Sequence, residues 1–273
     1  MKQRPCAVIT GASSGIGREL AELAALDTHV VLVARDITAL QQTAENIAEK
    51  GGTSQTLALD LSEANSGEAL ANYLAAHDLY CETLVTSAGL GQVGLSWELP
   101  LQGQLAVVDV NVRSFSDLVL RFLPGMVERG RGQILTVSSI ASASPGPGMA
   151  VYYATKAYNR MFSEALWQET QGTGVVVTCL CPGPVDTDFI NRSGAANTRL
   201  FNILRHKGVY NVALNGWQGL KAGRRLVVPG LTAKMLFKLA QILPNNYLLP
   251  WLLNSQTKTV ARRTSKKVRK EGD

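Results

Sequence analysis

The chain is poor in the residues that build covalent or metal staples. It has four cysteines (Cys6, Cys81, Cys179, Cys181), none in a Cys-x-x-Cys pair, and three histidines (His29, His77, His206). That cysteine count excludes a disulfide scaffold, and no two histidines stand at ligand spacing, which removes a His-based metal site. Three of the cysteines sit inside or beside apolar runs, so buried free thiols in a cytoplasmic protein are expected. No uninterrupted apolar stretch approaches the roughly 20 residues of a membrane-spanning helix. The first apolar run breaks at once into Thr10-Gly11-Ala12-Ser13-Ser14-Gly15, so no secretory leader is expected. Charged residues are only 18% against 46% hydrophobic, which excludes disorder for most of the 273 residues and allows one large buried core.

The net charge of +6 is uneven. Residues 256–273 hold seven basic side chains against Glu271 and Asp273, a net +5, and the rest of the chain carries +1. A basic pI of 9.2 therefore describes the terminus, and nucleic-acid binding by the folded body has no support. The domain is expected to span 1–255, with 256–273 a basic tail too poor in apolar residues to order itself alone.

What is present is a rhythm of short β-branched runs and longer helical patterns. Strands are expected at Cys6–Thr10, His29–Ala34, Thr53–Leu59, Thr83–Thr86, Gln133–Val137 and Val175–Leu180, with a last short one at Leu226–Val228. Helices are expected at Ile16–Leu26, Ile37–Lys50 with Asp36 as N-cap, Ser66–Ala76, Leu101–Arg129 and Val151–Thr170. The strands are continuously apolar, which marks strands covered on both faces. With right-handed crossovers this gives a single-domain, doubly wound parallel sheet, a Rossmann-like α/β/α sandwich. After Pro182 the rhythm fails, and about 184–225 reads as an irregular substrate loop. An amphipathic helix is expected over about 233–253, with Met235, Leu236, Leu239, Ile242 and Leu243 on one face.

Four features carry chemistry. The first strand ends in a glycine-rich turn followed directly by a helix, so Gly11, Ser13, Ser14, Gly15, Ile16 and Gly17 could cradle a pyrophosphate or simply form a turn. The second strand ends at Ala34-Arg35, and a guanidinium there suits a 2′-phosphate by a charge-assisted fork, favouring NADP(H) over NAD; a solvated surface arginine is the alternative. Tyr152 and Lys156 stand four apart on one helical face. A cation roughly 5 Å from the phenol at an effective dielectric of about 20 is worth around 3 kcal/mol, enough to lower the phenol by about two pK units. Ser138 and Ser139 end the fifth strand at the carboxyl edge of the sheet, where a hydroxyl either donates to a carbonyl oxygen or closes a turn. Asn111 lies in an apolar helical stretch, where it either bends the helix or holds a water.

Together these residues resemble the short-chain dehydrogenase/reductase family over roughly Ala7–Thr187. Thr10-Gly11-x-x-x-Gly15-x-Gly17 is similar to the family's cofactor turn, and Asp60-Leu61 to its adenine-contact pair. Asn111, Ser139, Tyr152 and Lys156 fall in the order and spacing of its catalytic tetrad. Pro182-Gly183-x-Val185-x-Thr187 is similar to the segment at the nicotinamide end. One departure is Thr86-Ser87-Ala88-Gly89, where the family often has Asn-Asn-Ala-Gly; Ala88 and Gly89 keep the close backbone approach.

The resemblance implies that Tyr152 is the acid/base and that Lys156 holds the nicotinamide ribose and depresses the Tyr152 pKa. It further implies that Ser139 polarises the substrate carbonyl and that Asn111 holds a relay water. The expected activity is NADP(H)-dependent interconversion of a carbonyl and a secondary alcohol on a largely apolar substrate, an acyl chain or a steroid-like ketone. The apolar residues Phe189, Phe201, Leu204, Tyr210, Val212, Leu214 and Trp217 are expected to shape that substrate site. A nucleotide-sugar epimerase, a methyltransferase and a non-enzymatic NADP-binding or scaffold protein are the alternatives. A homo-oligomer, dimer or tetramer, is expected. The C-terminal region suits either packing against the body or weak peripheral contact with an anionic membrane.

Overall fold

The computed structural model describes residues 3–198 and 208–268. Seven strands form one sheet: β1 (Arg4–Thr10), β2 (Val30–Ala34), β3 (Ser54–Ala58), β4 (Leu79–Thr86), β5 (Gly132–Val137), β6 (Val175–Leu180) and β7 (Leu226–Val227). Their order is β3-β2-β1-β4-β5-β6-β7, and all neighbours are parallel. Alternate residues of each strand enter opposite cores. Ala7, Ile9, Val30 and Leu32 face one helical layer, while Cys6, Val8, Val31 and Val33 face the other. The centre of β1 and the whole of β2 are therefore apolar on both parities, which is the pattern seen in the sequence. All four cysteines are buried free thiols.

On the first face lie α1 (Gly15–Ala24), α2 (Ile37–Glu49) and a helix of the C-terminal third, described below as α8; on the second lie α3 (Ser66–Ala76), α5 (Phe115–Glu128) and α6 (Ala150–Glu169). Asp36 caps α2 as expected, accepting from Ala39 N at 3.0 Å. The stretch read as one helix over 101–129 is interrupted. It consists of α4 (Leu101–Val108), a wide π turn at Asp109–Ser114 and α5. Such turns arise where a side chain competes for backbone partners, and Asn111 lies in the middle of this one.

After β6 the chain is more regular than its pattern suggests. It forms α7 (Asp188–Ser193), α8 (Val209–Lys221), α9 (Leu231–Ile242) and α10 (Asn245–Val268). Val212 and Trp217, expected in a substrate loop, instead sit 5% and 6% exposed in the core beneath α1. Tyr210 is exposed, and Phe201, Leu204 and His206 lie outside the described residues. The helix expected over 233–253 is two helices, separated at Leu243-Pro244. The second continues to Val268, and Gln256, assigned from sequence to a disordered tail, is buried. The five residues expected on the apolar face of α9 are largely outward, while Phe237 and Ala233 pack inward on Cys179, Cys181 and Val228.

The sheet core sets stability. Ile134 is fully buried in the second-face cluster. Ile134→Ala is expected to cost about 2–5 kcal/mol, measured as a lower denaturation midpoint at unchanged m-value.

Candidate active site

In a parallel sheet the carboxyl ends of all strands lie on one edge, and the order reverses between β1 and β4, leaving a crevice there. A cavity of about 840 Å³ opens along this edge. Every residue singled out from sequence for cofactor contact lines it, and so does Ser139; Asn111 stands behind its wall.

At one end is the glycine turn. Gly11 has φ +68°, and a Cβ there would lie 2.9 Å from the Ala88 backbone. A Cβ on Gly17 would lie 2.2 Å from the Gly11 carbonyl oxygen, so helix and turn touch backbone to backbone. Ser14 precedes α1 without a capping side-chain bond, and the first turn carries no acid. The uncapped N–H groups at the helix start therefore face a cavity edge suited to an anion. Thr10, the first residue of the cofactor-turn motif, fixes the opposite wall: its Oγ1 accepts from Ser87 N at 3.1 Å and Ala88 N at 3.2 Å. Arg35 lies at the rim with its side chain 57% exposed, 3.9 Å from Asp60. Asp60 is itself held by Ser62, whose N and Oγ donate at 2.8 and 2.7 Å and keep its carboxyl below the usual range despite partial burial.

At the other end β5 and α6 meet. The two adjacent serines separate in role. Ser138 is buried and its Oγ donates to the Lys156 carbonyl at 2.8 Å, fastening α6 to the strand end. Ser139 Oγ accepts from Ala141 N at 3.1 Å and also hydrogen-bonds Tyr152. Lys156 is 4% exposed, and its ammonium donates to the Val137 carbonyl at 2.8 Å. Burial lowers its pKa to about 8. Lys156 Nζ lies 5.9 Å from the centre of the Tyr152 ring.

The expected depression of the Tyr152 phenol is not seen in the protein alone. Burial raises it well above the ordinary tyrosine value, and the Ser139 bond offsets only part of that. The reason is distance and burial: the ammonium is turned to Val137, and desolvation of the phenolate outweighs it.

Asn111 is fully buried. Its Nδ2 donates to the Leu90 carbonyl at 2.9 Å and to Thr155 Oγ1 at 3.0 Å, and its Oδ1 accepts from Leu90 N at 2.8 Å. It thus joins the π turn, the loop after β4 and α6. Gly89 lies between Asn111 Oδ1 and Lys156 Nζ, which would stand 3.4 and 3.3 Å from a Cβ there.

Three further contributors gave no recognisable sequence signal. Gly91 admits the Tyr152–Phe189 ring pair, 5.4 Å between centres; a Cβ would strike Phe189 at 2.8 Å. Tyr153, beside Tyr152, lines the cavity and accepts at its hydroxyl from Gln256 Nε2 at 2.9 Å. Gln256 is 2% exposed, and its Oε1 has no partner among the described residues. A glutamine 103 residues from its partner Tyr153 offers nothing to recognise until α10 is folded against the site.

The short chain dehydrogenase family profile matches residues 5–198. The chain belongs to the short-chain dehydrogenase family. It is 35% identical over 188 residues to the probable oxidoreductase EphD of Mycobacterium tuberculosis, covering 68% of this chain and 32% of that one, so it spans about a third of that relative's length. Among solved structures it is similar to a short-chain dehydrogenase from Sphingobium yanoikuyae in complex with NADPH, at 26% identity and TM-score 0.75 over 85% of this chain and 91% of that one. It is also similar to one from Burkholderia phymatum in complex with NAD, at 25% identity and TM-score 0.78 over 87% and 93%. Those two solved relatives hold NADPH and NAD respectively.

The buried lysine yields a pH test. Its folded pKa near 8 lies below the ordinary 10.5, so between these values the unfolded chain binds more protons and stability gains as pH rises. Below about pH 8 the cost of burying the charge is fully present. Lys156→Met lacks this gain. The stability of the cofactor-free parent relative to Lys156→Met is therefore expected to rise from pH 8 to 10, by at most about 1.4 kcal/mol per pH unit, read by denaturant titration at each pH.

Proposed function

We propose that the protein is an NADP(H)-dependent oxidoreductase that interconverts a carbonyl and a secondary alcohol on a largely apolar substrate, an acyl chain or a steroid-like ketone. The observation that carries the reading is the placement of Ser139, Tyr152 and Lys156 at one end of a cavity whose other end is an uncapped helix start behind a glycine turn. The residues fit a dinucleotide: the turn and α1 N–H groups would hold its pyrophosphate, and Lys156 its nicotinamide ribose. Bound there, the dinucleotide supplies the hydride.

The chain's own groups would handle the proton. Ser139, already bonded to Tyr152, donates to the substrate oxygen, and Tyr152 delivers a proton to it in reduction and takes one in oxidation. In the protein alone the raised phenol pKa makes Tyr152 a weaker acid, so proton delivery depends on positive charge brought close to it in the loaded site. Asn111 holds the loop and α6 in register and, as the relay reading requires, lies across Gly89 from Lys156.

Preference for the 2′-phosphate rests on Arg35. No acid occupies Ala34, where it would repel the phosphate, Asp36 is engaged in capping α2, and Arg35 keeps a largely exposed guanidinium at the cavity rim. The apolar substrate rests on the far wall, where Val110, Met149, Tyr153, Phe189, Ile190 and Ala195 line the cavity. Gln256 is among the polar residues that also line the cavity, and its unpaired carbonyl suits a hydroxyl on the substrate. The same reading includes a homo-oligomer, for which the exposed Leu120 on α5 and Met161 on α6 supply apolar surface.

Two outcomes are expected. Tyr152→Phe keeps its fold and cofactor binding, while kcat falls about 10²- to 10⁴-fold; near-normal turnover would remove Tyr152 from the proton path. Arg35→Ala weakens NADPH binding by roughly 1.5–3 kcal/mol and leaves NADH nearly unchanged in fluorescence titration. Equal weakening of both would show that Arg35 does not read the phosphate. A panel of linear and ring ketones, followed by NADPH consumption, identifies the substrate class.

A further inference from the structure

The first two thirds and the last third of the chain carry opposite charge. Residues 1–188 hold 11 basic and 19 acidic side chains, a net −8; residues 189–273 hold 16 basic and 2 acidic, a net +14. Between Phe189 and Lys270 there is no Asp or Glu at all. Nine of the sixteen basic residues precede residue 256, so the excess is not confined to the terminus.

The same region exposes its largest apolar side chains in a row. Along α9, Leu231, Met235, Leu239 and Ile242 are 84%, 62%, 45% and 79% exposed. Their spacing of four, four and three places them on one face, opposite the inward Phe237 and Ala233. Lys234 and Lys238 border that row, and among the described residues neither has a carboxylate partner. On α10, Tyr247 and Trp251, four apart, are 77% and 53% exposed, and the basic residues of its distal turns follow. An outward apolar row edged by lysines, with a Trp and a Tyr nearby, is the composition of a helix lying in a lipid headgroup layer.

A second copy of this chain is the weaker occupant on charge grounds. An isologous contact would bring Lys234, Lys238 and the acid-free segment against copies of themselves. An anionic partner removes that conflict, and a bilayer takes the apolar row as well.

We infer that α9 and the start of α10 form a docking surface for an anionic membrane. The surface adjoins the site. Ala233, on the inner side of α9, is 3.4 Å from where a Gly183 Cβ would stand, and α10 sends Gln256 to Tyr153. Docking would therefore hold the substrate end of the cavity close to the lipid layer.

The test uses the full chain and reads sedimentation rather than turnover, so it stands apart from the catalytic reading. The protein is spun with vesicles of phosphatidylcholine alone and with an equimolar mixture of phosphatidylcholine and phosphatidylserine, at low and high salt. It is expected to pellet with the mixed vesicles at low salt, to be released by high salt, and to remain in solution with phosphatidylcholine alone. M235E/I242E is expected to weaken binding at least about tenfold, the scale of withdrawing two apolar side chains from lipid. K238Q is expected to weaken it about fivefold, as one basic residue at an anionic surface. These positions are exposed, so the melting temperature should stay near the parent's. L239S serves as a milder replacement if M235E/I242E does not fold. Failure to pellet, equal pelleting without phosphatidylserine, or binding untouched by these substitutions overturns the proposal. So does a fall in oligomer size on M235E/I242E without vesicle binding, which would assign the face to a second copy.

Discussion

A reciprocal pair of hydrogen bonds fastens α6 to the end of β5, and the site depends on it. Ser138 Oγ donates to the Lys156 carbonyl, and the Lys156 ammonium donates back to the Val137 carbonyl, each at 2.8 Å. A strand end and a helix are thereby locked at two points within one turn. Tyr152 lies one turn before Lys156, so its ring position follows from the same lock. Ser139 follows Ser138 and is turned to the opposite side of the extended chain, which brings it to Tyr152. The cost is an ammonium kept in a dry place, visible in its lowered pKa.

The desolvation acts on both partners in opposite directions. Burial disfavours the charged form of each, so the lysine drops while the tyrosine rises. A phenol and an amine that hold a proton almost equally in water are thereby driven apart, the phenol becoming the firmer holder and the amine the weaker one. The sequence argument took the ammonium as a nearby charge acting on the phenol and left out the burial both must share. Spacing along a helix shows which groups are neighbours, but it does not show how dry their surroundings are.

Fold and site were legible to different depths. The central strands stand out because β1 and β2 are apolar on both parities, the pattern of a sheet covered by two helical layers, whereas edge strand β3 is mostly polar and only partly buried. The glycine turn and the tetrad are legible because the turn joins the first strand to its helix, Ser139 follows a strand end, and Tyr152 and Lys156 share one face of the next long helix. Legibility ends where long-range packing chooses between equal local options. The π turn around Asn111 depends on partners at Leu90 and Thr155, which no helical periodicity reports. In α8, Val212 and Trp217 have the composition of a substrate lid, and only contact with α1 makes them core. Gln256 belongs to a segment whose basic composition argues for solvent, yet its own amide is enclosed by Tyr153.

The last third of the chain does two things with one geometry. Its inner residues complete the core and the cavity wall, as Val212, Phe237 and Gln256 do. Its outer residues carry apolar bulk and positive charge that the rest of the body does not need. Packing alone would favour polar residues at Leu231, Met235 and Ile242, since a solvent-facing helix gains nothing from exposed apolar atoms. Charge alone would not exclude every acid over 82 residues, because ordinary surfaces mix both signs. The two biases fall on the same helices, and those helices are the ones that reach the substrate end of the cavity. An apolar substrate partitions into lipid before it meets a protein, so an entrance held against that layer shortens its passage through water. For the membrane docking and apolar substrate proposed above, the composition of the outer face and the placement of the cavity would follow from one constraint.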